Sequence, residues 1–211
     1  MPIPRAVVDA DILYRRHPRN LLVWHALAGL FELHWSARIL AETRRNLVER
    51  NLAAFGQRRA GAVDRTLGRL TEAVRAANAG DLVSEDAVAA HEPAMPNHPK
   101  DRHVLAAALA AGARHVITTN IRDFAASDTR PLGVLAQTPD AFLTSLLGHA
   151  TIDVAIDALT RHAGFHGWSV AELLALLADE RPARPALAPR YVRRITQLSG
   201  IEPAVAARLD S

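Results

Sequence analysis

Five carboxylates follow predicted strands or begin the helices after them, and they are Asp9, Asp11, Glu42, Asp101 and Asp123. Acidic side chains that lie close together repel one another, so such a group implies either a bound cation or raised pKa values. Carboxylate oxygens suit a hard ion, and the chain has no cysteine to bind a soft one. We therefore expect Mg²⁺ or Mn²⁺, which would lower the pKa of a bound water and stabilise a phosphoryl transition state.

The segment HVITTNIRDF, residues 115–124, shows how a predicted strand leads to such a group. Residues 115–118 are compatible with a buried strand, because Val116, Ile117 and Thr118 are β-branched. Thr119 and Asn120 then end the apolar run, and Asp123 follows at once after Arg122. Any one of these acids alone would favour a turn, a helix cap or a surface pair over a ligand. Their shared position after strands is what indicates a site.

The elements that would position these acids alternate between strands and helices. Strands are predicted at residues 5–9, 32–36, 115–118 and 133–136, with a brief candidate at 81–83. Helices are predicted at 37–51, 58–79, 100–111 and 13–30, the last interrupted at His17-Pro18, and residues 92–99 form a proline-rich loop. This alternation predicts an α/β fold with a parallel sheet covered on both faces. Ligands bind such sheets at the carboxyl ends of the strands, where the residues after each strand should converge.

Beyond about residue 148 the alternation of strands and helices stops. Thr138 and Pro139 begin one more helix of the α/β region. Ser169 and Glu172 then form a capping box that opens a helix, residues 181–189 read as a proline-rich linker, and a final short element begins near Tyr191. We therefore expect a domain at residues 1–148 and a small helical extension at residues 149–211.

Composition excludes several classes of protein. The chain of 211 residues is 49% hydrophobic and 22% charged, which is typical of a globular protein. It has no run of apolar residues long enough to span a membrane, no signal-peptide pattern at its start and no cysteine for disulfides, so we expect a cytoplasmic location. Lys100 is the one lysine, and every other basic residue is arginine. A GC-rich genome explains that bias, although arginine also suits a partner with phosphate groups.

Three blocks together resemble the PIN-domain family, including the VapC-type toxins of bacterial toxin–antitoxin pairs. The blocks are AVVDADILY, SARILAETRRNL and PKDRHVLAAALAAGARHVITTNIRDF, and the resemblance covers roughly residues 3–147. It implies a Rossmann-like three-layer α/β/α sandwich and a Mg²⁺-dependent nuclease. The family's acidic quartet maps onto Asp9, Glu42, Asp101 and Asp123. The resemblance thus implies that these four side chains are both the catalytic residues and the metal ligands.

The resemblance also has implications for the residues around the quartet. Asn120 stands where some family members carry an acid, which makes Asp123 the preferred fourth ligand and Asn120, after Thr119, its neutral neighbour. Asp11 stands where the family often has Asn or Thr, and its role is open. Ser36 matches a small hydroxyl residue that the family often places near the site.

The mechanism that the resemblance implies is hydrolysis of an RNA phosphodiester by a metal-activated water. Asp9, Asp101 and Asp123 would hold the metal, with Glu42 as a further ligand or as the group that orients the water. The products would carry 5′-phosphate and 3′-hydroxyl ends. We expect RNA, tRNA or rRNA, as substrate, a cognate antitoxin protein as partner and a homodimer. The extension could pack on the sheet domain, support the dimer, bind the antitoxin or shape the choice of RNA.

Basic side chains flank the acids in sequence and could contact RNA phosphates, although most would equally suit a solvated helix surface. They are Arg15, Arg16, Arg44, Arg45, Lys100, Arg102 and Arg122. The chain has ten histidines, and we expect them to be structural or exposed, except for His103, which is close in sequence to Asp101. Trp24 and Trp35 lie in apolar surroundings and favour the core over base stacking.

Two other functions compete with the nuclease. The strand followed by Asp9-Ala-Asp11 imitates the nucleophile motif of haloacid-dehalogenase-like phosphohydrolases, but that family needs a downstream lysine and a Gly-Asp…Asp motif, and Lys100 lies at a helix start. The second alternative is a non-catalytic PIN module that binds RNA or protein. The acidic quartet argues against it, because a binding module would be free to lose its acids.

Overall fold

A four-stranded parallel sheet forms the centre of the protein. The structure, a computed structural model, describes residues 2–55, 60–78, 82–179 and 187–204. The strands are β1 (Arg5–Val8), β2 (Glu32–His34), β3 (His115–Ile117) and β4 (Leu135–Gln137). They lie in the order β2-β1-β3-β4, and every neighbouring pair is parallel.

Helices cover both faces of this sheet. The helices are α1 (Ala10–Leu13), α2 (Arg16–Leu27), α3 (Ala37–Phe55), α4 (Ala60–Asn78), α5 (Glu85–His91), α6 (Arg102–Ala110), α7 (Ala126–Thr129), α8 (Pro139–Leu146), α9 (Ile152–Phe165), α10 (Val170–Ala178) and α11 (Pro189–Ser199). The crossover from β1 to β2 runs in the opposite direction to those from β2 to β3 and from β3 to β4. Because such crossovers are right-handed, the two directions place their helices on opposite faces. The predicted three-layer α/β/α fold is confirmed.

The reversal of direction lies between β1 and β3. Val7 pairs with Val116 and Val8 with Ile117, and all four side chains are fully buried. Continuous apolar sequence is what a strand covered on both faces requires. The carboxyl ends of β1 and β3 therefore lie side by side at a switch point of the sheet, which is where ligands bind in folds of this kind.

The first helical region differs from its prediction. Residues 13–30 were expected as one helix interrupted at His17-Pro18, whereas α1 already begins at Ala10 and the break falls at Tyr14 and Arg15. Pro18 lies in the first turn of α2, where its missing N–H costs no hydrogen bond. The buried Arg19 donates through Nη1 to the carbonyl of Leu13 at 3.0 Å, which satisfies the end of α1 and stabilises the break.

Other boundaries shift by a few residues. β4 begins at Leu135, because Gly133 has a φ of 72° and closes the preceding turn instead of extending the strand. The brief strand predicted at 81–83 is reduced to a single bridge between Val83 and Ser36, and residue 81 lies outside the described residues. The short helix α5 was not predicted, and α3 extends to Phe55. Residues 181–186 of the predicted linker also lie outside the described part of the chain.

The C-terminal helices share one hydrophobic core with the sheet domain. The helix α9 packs along α2, α11 packs on α8, and α10 joins α9 and α11. Leu159, Leu174 and Ile195 belong to the same buried cluster as Val7 and Phe142. The capping box of Ser169 and Glu172 is present at the start of α10. A domain boundary at residue 148 stays a prediction, and the core runs across that point without a gap.

No helix among the described residues is long and apolar enough to cross a membrane.

A buried hydrogen bond joins the extension to α2. His25 and Tyr191 are both fully buried, and His25 Nδ1 lies 2.7 Å from the Leu21 carbonyl, to which it can only donate. His25 Nε2 is therefore an acceptor, and Tyr191 Oη donates to it at 2.5 Å. Burial lowers the pKa of His25 to about 4, so this neutral form persists at pH 7. The Tyr191 backbone N–H also donates to Asp140 at 2.8 Å.

Replacing Tyr191→Phe is expected to lower the free energy of unfolding by about 1–3 kcal/mol, because it leaves the buried His25 Nε2 without a donor. Urea unfolding measures the change. Tyr14→Phe, at the other tyrosine of the chain, is the matched control and should cost little, because Tyr14 is only half-buried. Equal stability of the two variants would show that this hydrogen bond does not hold the extension in place.

Candidate active site

Asp9 lies at the end of β1, directly beside the end of β3. Its backbone N–H donates to the carbonyl of Ile117 at 3.0 Å, which continues the β1–β3 ladder by one residue. Its carboxylate is only 5% exposed, and the buried hydroxyl of Thr118 donates to Oδ2 at 2.8 Å. The parallel register thus fixes Asp9 from two directions, through its backbone and through its side chain.

Asp11 ties the first turn of α1 to the loop after β3. Its Oδ2 accepts a hydrogen bond from the Thr119 backbone N–H at 2.8 Å and a second one from the Thr119 hydroxyl. The Thr118 hydroxyl also lies 3.4 Å from Asp11 Oδ1 and accepts from the Asn120 backbone N–H at 2.9 Å. The additional carboxylate of this chain therefore holds the loop that carries Asp123.

Asp101 and Asp123 come together with His98. Two short 3-10 turns, Pro99–Asp101 and Ile121–Asp123, carry the acids. One ligand atom from each of the three side chains lies within 4.8 Å of those of the other two. Among the residues that the structure describes, no other group of three or more His, Asp or Glu side chains brings its ligand atoms this close together. Asp9 and Glu42 lie outside this tight group.

Asn120 and Asn97 support the Asp123 turn. The Asn120 amide donates to Asp123 Oδ2, so the amide that ends the strand positions the carboxylate three residues later. The side chain of Asn97 is almost fully buried and donates to the Asp123 backbone carbonyl at 3.4 Å. Arg102 Nε in turn donates to the Asn97 carbonyl at 3.3 Å. Arg102, expected to contact RNA, is thus engaged within the protein.

Glu42 faces the site from the second turn of α3. Its Oε2 lies 3.4 Å from Nε2 of His103, whose ring is almost fully buried in α6. This polar contact and the charges of Arg45 and Arg38 hold the pKa of Glu42 below its usual value, although partial burial acts the other way. Glu42 is therefore ionised at neutral pH. Ser36 is buried and accepts from the backbone N–H of Ile39 at 3.3 Å, which places its hydroxyl at the start of α3. Its place near the site stays a prediction.

The carboxylates lie close enough to perturb one another. Burial raises the pKa of Asp9 to about 7, and the negative charges of Asp11, Asp101 and Glu42 add to the rise, while the hydrogen bond from Thr118 opposes it. Burial also raises the pKa of Asp101, together with the charges of Asp123 and Glu42. All five acids singled out from the sequence are thus linked electrostatically at one edge of the sheet.

These residues fit a divalent cation. Asp101, Asp123 and His98 could supply ligand atoms, and a buried carboxylate whose pKa is raised to about 7 is one that a nearby positive charge would stabilise. Carboxylate oxygens suit Mg²⁺ and Mn²⁺, whereas an imidazole nitrogen suits transition metals.

Some of the basic residues near the site line a cleft beside the acids, and the others are exposed or pair with other parts of the protein. Arg45 and Lys100 line an open cleft of about 320 Å³ together with Glu42, His103, Arg38 and Ala41. Arg44 instead pairs with Asp64 on α4, Nε to Oδ1 at 2.6 Å. Arg15 and Arg122 are exposed, and Arg16 reaches His166 of the extension. The side of the site next to Glu42 therefore carries positive charge beside the carboxylates.

Some residues of the site were missed in the sequence analysis. At Thr118 the sequence indicates only a strand, because threonine is β-branched and continues the run of Val116 and Ile117. His98 and Asn97 lie in a proline-rich loop and had no helical or strand periodicity to place them. A signal was nevertheless present, since Asn-His-Pro-Lys-Asp puts polar side chains directly before a predicted ligand.

Comparison with known proteins agrees with the α/β/α fold. The model of the family described as PIN domain matches residues 5–122, more than half of the chain. A protein named "Putative ribonuclease VapC50" from Mycobacterium tuberculosis (strain ATCC 25618 / H37Rv) is 46% identical over 54 residues, which are 26% of this chain and 32% of that protein. The alignment thus spans about a third of the relative's length. No solved structure matches the chain significantly.

The raised pKa of Asp9 predicts an unusual dependence of stability on pH in the absence of divalent ions. The pKa of Asp9 is about 7 in the folded state against 3.8 ordinarily, so at this group the folded state binds more protons, and the contribution of Asp9 to stability is present at low pH and is lost as pH rises through 7. Between pH 5 and pH 8 this contribution should fall by about 3 kcal/mol. The buried His25 and His162, whose pKa values are lowered to about 4 and about 3, act in the opposite direction, so the effect of Asp9 is the difference between the parent protein and a variant that lacks the carboxylate.

Asp9→Asn should gain about this much stability relative to the parent protein between pH 5 and pH 8, because an amide has no charge to bury and can still accept from Thr118. Urea unfolding in EDTA at several pH values measures it. Asp157→Asn on α9, an exposed acid that pairs with Arg161, is the control and should follow the parent protein. A difference in stability between Asp9→Asn and the parent that does not change from pH 5 to pH 8 would mean that the Asp9 carboxylate does not carry this pH dependence.

Proposed function

Because the chain belongs to the PIN domain family, we propose that it is a metal-dependent endoribonuclease and the toxin of a type II toxin–antitoxin system. The observation that carries the proposal is the convergence of Asp9, Glu42, Asp101 and Asp123 at the switch point of the sheet. These acids come from distant parts of the chain, and their mutual repulsion costs stability. A folded protein tolerates such a cost where the charges serve a function.

The carboxylates would divide into two roles. Asp101 and Asp123 would hold the ion, and Asp9 would add a third carboxylate at the ion from the end of β1. The ion, when bound, would supply a positive charge that lowers the pKa of a water and offsets the charge that develops on the phosphate. Glu42, ionised and flanked by His103, would accept a hydrogen bond from the attacking water and orient it, or serve as a further ligand.

The reaction would be hydrolysis of an RNA phosphodiester. Water attacks phosphorus, the bond from phosphorus to the 3′-oxygen breaks, and the products carry 5′-phosphate and 3′-hydroxyl ends. Arg45 and Lys100, which line the cleft next to Glu42, would pair with backbone phosphates. Because these contacts release counterions, the affinity for RNA should fall steeply with salt.

The biological setting belongs to the same proposal. The partial similarity to a protein named as a ribonuclease supports RNA as the substrate class, with tRNA or rRNA as targets. A cognate antitoxin protein would be the partner, a homodimer the assembly, and the cytoplasm the place of action. The phosphohydrolase alternative has lost its support, since the family match is to the PIN domain. A non-catalytic PIN module is the remaining alternative, and the cleavage test below distinguishes it.

His98 adds a nitrogen donor to the proposed metal site. Pro99 restricts the residue before it to an extended conformation, and His98 has φ −51° and ψ 131°. Its Nδ1 lies 3.6 Å from Asp101 Oδ2, so the backbone already holds the ring beside the acids. Magnesium prefers oxygen ligands only, whereas imidazole binds transition metals well. We therefore propose that the site prefers Mn²⁺ to Mg²⁺.

Asp9→Asn should reduce the cleavage of a fluorescent RNA by at least about a hundredfold, because loss of a residue at the metal should exceed the 10–100-fold cost of losing an outer partner. Asp157→Asn, the same chemical change on the exposed face of α9, should cleave as the parent does. Induction in cells, followed by sequencing of new RNA 5′ ends, would identify the target. Metal-dependent cleavage by Asp9→Asn at the parental rate would refute the assignment, and no cleavage by the parent would favour the binding module.

His98→Ala should weaken binding of Mn²⁺ by about a hundredfold or more, because a ligand is lost and not an outer partner, and it should leave binding of Mg²⁺ nearly unchanged. Isothermal titration measures both affinities. Electron spin-echo modulation of bound Mn²⁺ detects a coordinated imidazole nitrogen directly, and this signal should vanish in His98→Ala. His91→Ala, an exposed histidine at the end of α5, is the control. A nitrogen signal that survives in His98→Ala would exclude His98 as the ligand.

A further inference from the structure

A row of aromatic rings lies at the C-terminal end of α9. Trp24 of α2 contacts the rings of His162 and Phe165, with centroid distances of 6.4 and 5.9 Å. Phe165 meets His166 edge to face at 5.1 Å, and Trp168 stacks on His166 at 4.6 Å with 27° between the planes. We name Phe165, His166 and Trp168 the aromatic platform.

The platform is accessible and its shape is fixed by the backbone. Phe165 is 69% exposed, more than any other large apolar side chain in the described part of the chain. The chain then reverses at Gly167, whose φ of 71° favours glycine, and the Trp168 backbone N–H donates to the Ala163 carbonyl at 2.9 Å. This turn brings the Trp168 ring back onto His166. An exposed phenylalanine held in a row of rings offers a flat apolar face to solvent.

The topology places the platform at the edge of the sheet that carries the carboxylates. Strands β1 and β2 are parallel, so α2 must run from the carboxyl edge back to the amino edge, and Arg16 at its start lies at the carboxyl edge. Arg16 Nη2 lies 3.4 Å from His166 Nδ1, which brings the end of α9 to the same edge. Arg16 is five residues beyond Asp11, so their Cα atoms are at most about 18 Å apart.

The surroundings of the platform favour an anion. Arg16 is exposed and contributes a full positive charge, and Arg15 beside it is exposed as well. Residues 158–171 contain no Asp or Glu. Partial burial and the charge of Arg16 lower the pKa of His166, so its ring is a neutral aromatic surface at pH 7. A flat apolar surface next to a guanidinium matches a nucleotide, which presents a base face and a phosphate.

We propose that the aromatic platform and Arg16 bind one nucleotide of single-stranded RNA, with the base stacked on Phe165 and a backbone phosphate paired with Arg16. This inference rests on the proposed ribonuclease function. The platform lies outside the segment 5–122 that matches the PIN domain family, so it is a feature of the extension of this chain. Through it the extension fixes which stretch of RNA enters the carboxylate site. Trp35 is buried, as expected, whereas Trp24 is half-buried at the base of the ring row.

The test measures binding of a fluorescein-labelled, single-stranded 12-nucleotide RNA by anisotropy. The full chain carries Asp9→Asn throughout, so that the probe is not cut. Phe165→Leu keeps an apolar side chain but removes the ring, and it should weaken binding about tenfold, as loss of one base-stacking contact does. Phe165→Tyr should bind as the parent does. An RNA that lacks its bases should bind the Leu variant and the parent equally well.

Matched controls separate the platform from general apolar and charge effects. Leu135→Ala removes an exposed apolar side chain at the amino end of β4, and Arg114→Ala removes an exposed arginine just before β3, both at the opposite edge of the sheet. Neither should change the affinity, whereas Arg16→Ala should lower it and Arg16→Lys should restore part of it.

The outcomes also distinguish this inference from the function on which it rests. If the protein binds and cleaves RNA while Phe165→Leu binds as tightly as the parent, the platform inference is wrong and the nuclease proposal stands. The platform inference is equally wrong if Phe165→Leu weakens only the binding of a protein partner, since the platform is then a protein-docking surface. If the unmutated chain neither binds nor cleaves RNA with Mn²⁺, the nuclease proposal fails and the platform inference fails with it.

Discussion

The parallel pairing of β1 with β3 is the constraint on which the site depends. Val7 and Val8 lie fully buried against Val116 and Ile117, and the register that buries them also sets Asp9 next to Thr118. A shift by one residue would turn the buried side chains to the other face and separate the carboxylate from its donor. Packing of the apolar core thus decides the position of the most buried acid.

Polar contacts hold the loop after β3 and thereby position Asp123. Asp11 accepts from Thr119, Asn120 donates to Asp123, and the buried Asn97 holds the backbone of Asp123. These bonds bring a strand end, a turn and a proline-rich loop together around the acids. Burial and, after it, repulsion by the other acids raise the pKa of Asp9 to about 7 and oppose this arrangement, so a bound cation would stabilise the protein as well as serve the proposed chemistry.

The extension is integrated with the sheet domain and shapes the surroundings of the site. Tyr191 and His25 form a buried hydrogen bond, and α9 packs against α2. Because α2 begins at the carboxyl edge, this packing carries Phe165 and His166 to the side of the molecule where the acids lie. The same helix pair therefore serves stability and, in the inference drawn from the aromatic platform, the selection of RNA.

The sequence by itself determined the strand–helix alternation, the parallel sheet and the edge at which Asp9, Asp101 and Asp123 meet, because these follow from periodicity and from the geometry of parallel strands. It could not reveal that His98 lies with Asp101 and Asp123, that Thr118 donates to Asp9, or that Phe165 and Arg16 share one edge. Those contacts join residues up to 150 positions apart, as between Arg16 and His166. Only the tertiary packing of loops and helices, which leaves no periodic pattern in the chain, decided them.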